Sequence, residues 1–296
     1  MANHPPVGVI GLGLLGSVLA SRLAGAGIPV TGFDPDPARR AVLKDIGGEV
    51  ALSAVQVIAR CQTTLVAVYN AGQVELLFDE LGRKPHLAGA VMVCTTTCAP
   101  EDILGLAERA ADAGLGFVEA PISGTSAETR DGSALMLVAG RPDAIEAVQP
   151  VLNVVCPHQM RLGQIGNAAR TKLALNLILQ TNRVALAEGL AFAESMGLDA
   201  AAFLATARRS AAYSRVMDSK GEKMLARDFA PQSHIAQTLK DSELILEEAR
   251  QQEQHLPMTL IQTGLLRSAI TLVGPEADSS AVIEAIRRKP RPRGRR

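Results

Sequence analysis

Val7-Gly8-Val9-Ile10-Gly11-Leu12-Gly13-Leu14-Leu15-Gly16 is the stretch from which the rest of the chain is best read. Val7 to Ile10 is a short apolar run, of a length that suits a buried strand, and it ends directly in the glycines. From Leu14 to Leu23 apolar residues return at helical spacing, and Gly25 to Gly27 close that helix. Ile28 to Phe33 reads as a second strand ending at Asp34. Strand, glycine turn, helix and strand within about thirty residues is the size of one βαβ unit.

Each glycine has a physical reason in such a unit. Gly11 permits the tight turn, Gly13 lets a pyrophosphate approach the backbone, and Gly16 lets the helix pack closely on the sheet. The helix N-terminus adds unpaired N–H groups and a partial positive charge. On this reading Gly11, Leu12, Gly13, Leu14, Leu15 and Gly16 hold a dinucleotide. Asp34, eighteen residues after Gly16, would accept bonds from the ribose hydroxyls and repel a 2′-phosphate, favouring NAD over NADP. Arg39 and Arg40 stand near enough to relieve part of that repulsion. Asp34 also suits a helix N-cap, with Pro35 at the first helical position.

The alternation continues outward. Thr63–Tyr69, Ala90–Thr95, Gly116–Ile122 and Ala134–Val138 read as strands, and Gln73–Leu81 and Pro100–Ala113 as helices. This pattern predicts an α/β, doubly wound Rossmann domain with a parallel sheet and right-handed crossovers over residues 1–162. After Gly166 the pattern changes. Asn167–Met196 has no Pro and one Gly, so a single long inter-domain helix of roughly 45 Å is expected. Ala200–Arg209 and Ile235–Gln251 also read helical, predicting an all-α substrate and oligomerisation domain over 163–286. Residues 287–296 carry seven of the 30 Lys and Arg, no acid, and Pro and Gly interruptions, which read as a solvated tail without a fold.

Composition narrows the classes. The 296 residues are 47% hydrophobic and 20% charged, with zero net charge, as in ordinary globular proteins. Aromatics are 3% and Trp is absent, which disfavours base stacking, so no nucleic acid is expected as partner. The four cysteines form no CxxC pair and no His sits at ligand spacing beside them, so no metal is expected and reduced thiols in the cytoplasm are. No signal peptide and no apolar run near the roughly 18 residues of a membrane span is found. Ser123 lies in no GxSxG elbow, which argues against a hydrolase.

Four segments in order resemble the β-hydroxyacid dehydrogenase family, which includes 3-hydroxyisobutyrate dehydrogenase and tartronate semialdehyde reductase. They are the glycine loop, Glu119-Ala-Pro-Ile-Ser-Gly-Thr125, Gly163-Gln-Ile-Gly166-Asn-Ala-Ala-Arg-Thr-Lys172-Leu-Ala-Leu-Asn176, and Lys240-Asp241. The resemblance implies an NAD-dependent enzyme that reversibly oxidises the CH–OH of a small 3-hydroxy acid to its semialdehyde or keto acid, working as a homodimer or homotetramer. It implies that Ser123, Gly124 and Thr125 hold the substrate together with Lys172 and Asn176. It further implies that Lys172 is the general acid/base, that Asn176 assists it, and that Tyr69, Thr97 and Lys240 meet the cofactor.

Lys172 and Asn176 are four apart and so share one helix face, among Leu173, Leu175, Leu177, Ile178 and Leu179. An amine in such surroundings is expected to have a lowered pKa and to exchange a proton with a substrate hydroxyl. An exposed, snorkelling lysine is the alternative. Several positions depart from the family pattern: Thr125 and Ala168 replace glycines, Ser242 replaces a Leu, Tyr69-Asn70 replaces a Leu-Pro-like pair, and Cys94 stands where Asp is common. Imine reductases share this architecture but typically lack the lysine. A non-catalytic dinucleotide sensor is the reading from another class.

Overall fold

The computed structural model describes residues 4–82 and 87–287. Their contacts divide the chain into two compact units, Met1–Leu173 and Ala174–Arg296. The first opens with β1 (Val7–Ile10), α1 (Leu14–Gly25) and β2 (Val30–Phe33). It continues through α2 (Pro37–Asp45), β3 (Glu49–Val50), α3 (Ala54–Arg60), β4 (Thr63–Val66), α4 (Ala71–Leu81), β5 (Val91–Cys94), α5 (Pro100–Asp112) and β6 (Gly116–Glu119). β7 (Ile122–Ser123), α6 (Ser126–Asp131), β8 (Leu135–Gly140), α7 (Pro142–Val155) and β9 (His158–Arg161) complete it.

The described strands form one sheet in the order β3-β2-β1-β4-β5-β6-β8-β7, with β9 on β8. β1 pairs in parallel with both β2 and β4, so the chain changes direction across the sheet at β1. That is a topological switch point, and the crevice it opens lies at the C-terminal ends of β1 and β4. Helices cover both faces. Val91 and Val93 of β5 join the cluster that includes Leu19 and Leu23 of α1, whereas Met92 and Cys94 join that of Val57, Leu77 and Leu106. Strand alternation requires this split.

The sheet is parallel-dominated but not wholly parallel, as the alternation alone had implied. β8 runs antiparallel to both β6 and β7. The expected strand 116–122 is broken at Ala120-Pro121, because Pro121 has no N–H to give a ladder. The chain then turns at Ser123-Gly124, with Gly124 at φ +149°. A second correction concerns α2. Its N-cap is Asp36, which accepts from Ala38 N at 2.8 Å with Pro37 at the first helical position, in place of Asp34 and Pro35.

The long helix α8 (Asn167–Ser195) contains the unit boundary, and its 29 residues span roughly 43 Å. The second unit adds α9 (Ala200–Ala207), α10 (Val216–Ala226), α11 (Ile235–Gln251), α12 (Pro257–Val273), a 3₁₀ turn (Ser279–Val282) and α13 (Ile283–Ile286). Leu186, Leu190, Leu204, Met224, Ile235 and Leu266 are among its buried core. The expected tail begins one residue too early. Arg287 is anchored to Glu194 at 2.6 Å, and the rest of that segment, 288–296, lies outside the described residues. No described helix is long and apolar enough to cross a membrane.

Candidate active site

The glycine loop leaves β1 at the switch point and opens α1. A Cβ on Gly11, whose φ is +84°, would lie 2.4 Å from Ala67 O, and one on Gly16 would lie 1.8 Å from Gly11 O. Backbone packing therefore requires both glycines. Gly13 differs: its φ is −70°, ordinary for any residue, and the nearest atom to its Cβ position is Arg39 Nη1 at 3.7 Å. Nothing in the protein itself demands glycine there. A phosphate approaching the backbone would, and no side chain caps the first turn of α1 above it. The loop fits a dinucleotide pyrophosphate.

This difference is testable. Gly16→Ala is expected to destabilise the fold by about 1–3 kcal/mol or more through overpacking. Gly13→Ala should leave thermal unfolding close to wild type while weakening NADH binding about tenfold, roughly one lost charge-assisted hydrogen bond. Fluorescence titration and a melting curve check it; equal NADH affinity for Gly13→Ala and wild type would refute the assignment.

Asp34 is buried at the end of β2. Its Oδ2 accepts from Leu12 N at 2.8 Å and its Oδ1 from Asp36 N at 2.9 Å, so the carboxylate locks the glycine loop to β2. Arg39 Nη1 lies 3.5 Å from Oδ2. Arg40 is committed elsewhere: its Nη1 donates to the carbonyls of Asp34 and Pro35, and its guanidinium lies over the Phe33 ring.

The loops after β4 and β5 meet at the same crest. Thr95 Oγ1 donates to Val66 O at 2.9 Å and Thr96 Oγ1 to Val68 O at 3.1 Å, tying the two loops together beneath half-buried Thr97. Tyr69 is exposed, and Asn70 beside it N-caps α4, accepting from Gln73 N at 3.0 Å. Cys94 ends β5, where a hydrogen bond with Cys98 lowers its thiol pKa against the effect of burial. All four cysteines are buried thiols.

Ser123 and Gly124 form the turn between β7 and α6. Thr125 N-caps α6 in a capping box, its Oγ1 accepting from Glu128 N at 3.2 Å and its N–H donating to Glu128 Oε2 at 2.7 Å. This explains the Thr where the family has Gly. At the end of β6 Glu119 is 1% exposed, and its carboxylate accepts from Gly166 N at 2.7 Å and from Ala169 N. Burial lifts its pKa above the usual carboxylate range, opposed by those amides. Glu119 thus caps the start of α8 and fixes the helix that carries Lys172.

Lys172 is 6% exposed, and its Nζ donates to Ile122 O at 2.7 Å. Ile122 precedes Ser123 in the chain. The structure therefore brings the lysine amine to the substrate loop expected from sequence, and it is no snorkelling surface group.

In the second unit Asn176 is buried, and its Nδ2 donates to Asp241 Oδ2 at 3.0 Å. Lys240 Nζ lies 3.0 Å from the other oxygen of Asp241. Ser242, departing from the family's Leu, donates to Gln180 Oε1 at 2.7 Å, and Gln262 Nε2 reaches both at 3.0 and 3.1 Å. The departure is compensated by this buried polar triad.

Sequence reading overlooked that α8 carries Asn176, Gln180 and Arg183 on one face, all buried. Their spacing of four and three residues was the available signal. It also overlooked the buried pair Lys220–Asp278, joined at 2.8 and 2.9 Å.

A parallel-dominated Rossmann sheet with a phosphate cradle at its switch point, followed in the chain by a helical unit, is the architecture of a dinucleotide-binding protein. Residues 6–163 match the model of the NAD-binding domain of 6-phosphogluconate dehydrogenase, and residues 166–286 that of the NAD-binding region of NADP-dependent 3-hydroxyisobutyrate dehydrogenase. The chain belongs to the β-hydroxyacid dehydrogenase family. It is 30% identical over 287 residues to 2-(hydroxymethyl)glutarate dehydrogenase of Eubacterium barkeri, covering 96% of this chain and 95% of that one. It is 29% identical to 2-hydroxy-3-oxopropionate reductase of Escherichia coli, covering 95% and 96%. The crystal structure of 3-hydroxyisobutyrate dehydrogenase from Salmonella typhimurium superposes with a TM-score of 0.85 at 25% identity, covering 94% and 99%.

Proposed function

We propose that the protein reversibly oxidises a small 3-hydroxy acid to its semialdehyde or keto acid with NAD, using Lys172 as general acid/base. The observation that carries this reading is the bond from Lys172 Nζ to Ile122 O, one residue before the Ser123-Gly124 turn. A carbonyl only accepts, so the bond uses an N–H and not the lone pair that takes a proton. Ser123 Oγ and the backbone at Gly124 then hold the substrate carboxylate, with Thr125 bordering it. Lys172 takes the hydroxyl proton during oxidation and returns it during reduction. Asn176, its amide oriented by Asp241, steadies the same oxygen. The bound nicotinamide supplies the hydride acceptor. Gly11 to Gly16, Asp34, Tyr69, Thr97 and Lys240 hold the cofactor.

The relatives named above act on hydroxy acids or the matching oxo acids, which supports the substrate class. Asp34 supports NAD over NADP, because its buried carboxylate repels a 2′-phosphate. Half-exposed Arg39 is the group that moderates this preference. NADH formation across a panel of 3-hydroxy acids tests both points. Turnover with NAD is expected to exceed that with NADP about tenfold or more, and Arg39→Ala is expected to widen the gap. Turnover of cyclic imines but of no hydroxy acid would overturn the reading. The buried thiols accord with the cytoplasm, and exposed apolar side chains of the helical unit, such as Ile178, Phe192 and Ile261, with a homodimer or homotetramer.

A further inference from the structure

Within the first unit, the segment from Glu119 to Ser123 and the start of α8 are joined at two places. At one, the Glu119 carboxylate accepts from Gly166 N at 2.7 Å through Oε2 and from Ala169 N through Oε1. At the other, Lys172 Nζ donates to Ile122 O at 2.7 Å. Ile122 follows Glu119 by three residues, and Lys172 follows Ala169 by three, so less than one helical turn separates the two bonds along α8. The amine that meets the substrate turn is therefore placed by a carboxylate on the strand leading into that turn.

The first helix amides have no acceptor within their own helix. Here both oxygens of Glu119 serve them, and the Ala168 amide acts on the same carboxylate. Of the other groups facing Glu119, the Arg170 guanidinium of α8 is exposed, and the Cys94 thiol is its buried parallel partner on β5. β8 offers it Ala139, which carries no charge. An ionised carboxylate only accepts, whereas a protonated one carries an O–H donor. With both oxygens turned to N–H groups, a proton on Glu119 sets donor against donor and breaks one bond of the cap. Burial favours that proton, drawing the Glu119 pKa above the usual carboxylate range.

We propose that Glu119 is a positioning residue whose ionised carboxylate, through the first turn of α8, holds the Lys172 amine at the substrate turn, so that protonating Glu119 switches the reaction off at acid pH. This rests on the dehydrogenase reading above and adds a control to the same site.

The reductive direction isolates the effect. There Lys172 gives up a proton, and its protonated form only gains population as pH falls, so a loss of rate in acid comes from another group. The test measures kcat for NADH-dependent reduction of 2-hydroxy-3-oxopropionate and 3-oxopropionate between pH 5 and pH 8, with far-UV circular dichroism at each pH. Wild type is expected to lose rate on the acid side while its helical signal is unchanged. Glu119→Gln should be slower at pH 7.5 by about 10- to 100-fold, the scale on which a displacement of about 1 Å acts, and should lack the acid limb. Its dissociation constant for NADH should stay close to wild type. Glu119→Asp, with a shorter carboxylate, should recover part of the rate and the acid limb with it. An acid limb that persists in Glu119→Gln, or a wild-type limb that coincides with loss of helix, overturns this proposal and leaves the dehydrogenase reading standing. So does a wild-type rate that does not fall in acid, which decides even if Glu119→Gln fails to fold. Reduction of neither oxo acid, together with oxidation of no 3-hydroxy acid, overturns both.

Discussion

Lys172→Ala is expected to lower kcat for the 3-hydroxy acid by about 10²- to 10⁴-fold, the range for loss of a positioned general acid/base. The dissociation constant for NADH should stay close to wild type, because the glycine loop and Asp34 lie on other elements of the sheet. The Ala variant leaves Ile122 O without its Lys172 donor, which costs about 1–3 kcal/mol, so a melting curve must accompany the kinetics. Lys172→Arg separates the two roles an ammonium can play. A guanidinium keeps the positive charge beside a developing alkoxide but does not give up its proton near neutral pH. If proton transfer is the dominant contribution, Lys172→Arg stays nearly as slow as Lys172→Ala, and small exogenous amines restore part of the rate only in the Ala variant. Full activity of Lys172→Arg would reduce the lysine to an electrostatic role, and full activity of Lys172→Ala would remove it from the chemistry.

The local features legible in sequence were those whose cause is local. The glycine loop announces itself because turn, close approach and helix packing each need glycine at a fixed spacing. The helical second half follows from periodicity alone. Antiparallel β8 was not legible, because its direction depends on the break at Pro121 and on which strands it reaches. The true N-cap of α2 was missed for a related reason: Asp34 is claimed by Leu12 N across the sheet, leaving Asp36 to cap. Departures from the family pattern gained meaning only with partners in view. Thr125 needs Glu128, Asn70 needs Gln73, and Ser242 needs Gln180 and Gln262, two of these four residues being distant in the chain. The buried charges around Arg183 were hidden most deeply, since Lys220, Asp241 and Asp278 come from three different segments of the chain.

That cluster gives the largest expected stability effect. Asp278→Ala should cost about 3–5 kcal/mol, because it removes one partner of a buried ion pair and leaves the other behind. It also strips the acceptor from the amides of Gln232, Ser233 and Ser280. Lys220→Met should cost less. It leaves Asp278 with those three amides and with the positive charge of Arg183 nearby. The order follows from the remaining partners: Asp278 keeps its amide donors without Lys220, whereas Lys220 without Asp278 is left with the Ser233 hydroxyl at 3.4 Å. Acid unfolding provides a second readout. Burial pushes the Asp278 carboxyl up, but the Lys220 ammonium, their hydrogen bond and the amides outweigh it and hold the pKa at about 2. The folded value lies below the unfolded one near 3.9, so this contribution is present above about pH 4 and lost as pH falls toward 2. It amounts to roughly 2–3 kcal/mol. Urea midpoints measured from pH 5 to pH 2.5 should therefore fall more steeply in wild type than in Asp278→Ala over the range set by those two pKa values. A greater loss in Lys220→Met than in Asp278→Ala would mean that the three amides and the nearby Arg183 do not compensate Asp278 for the missing ammonium.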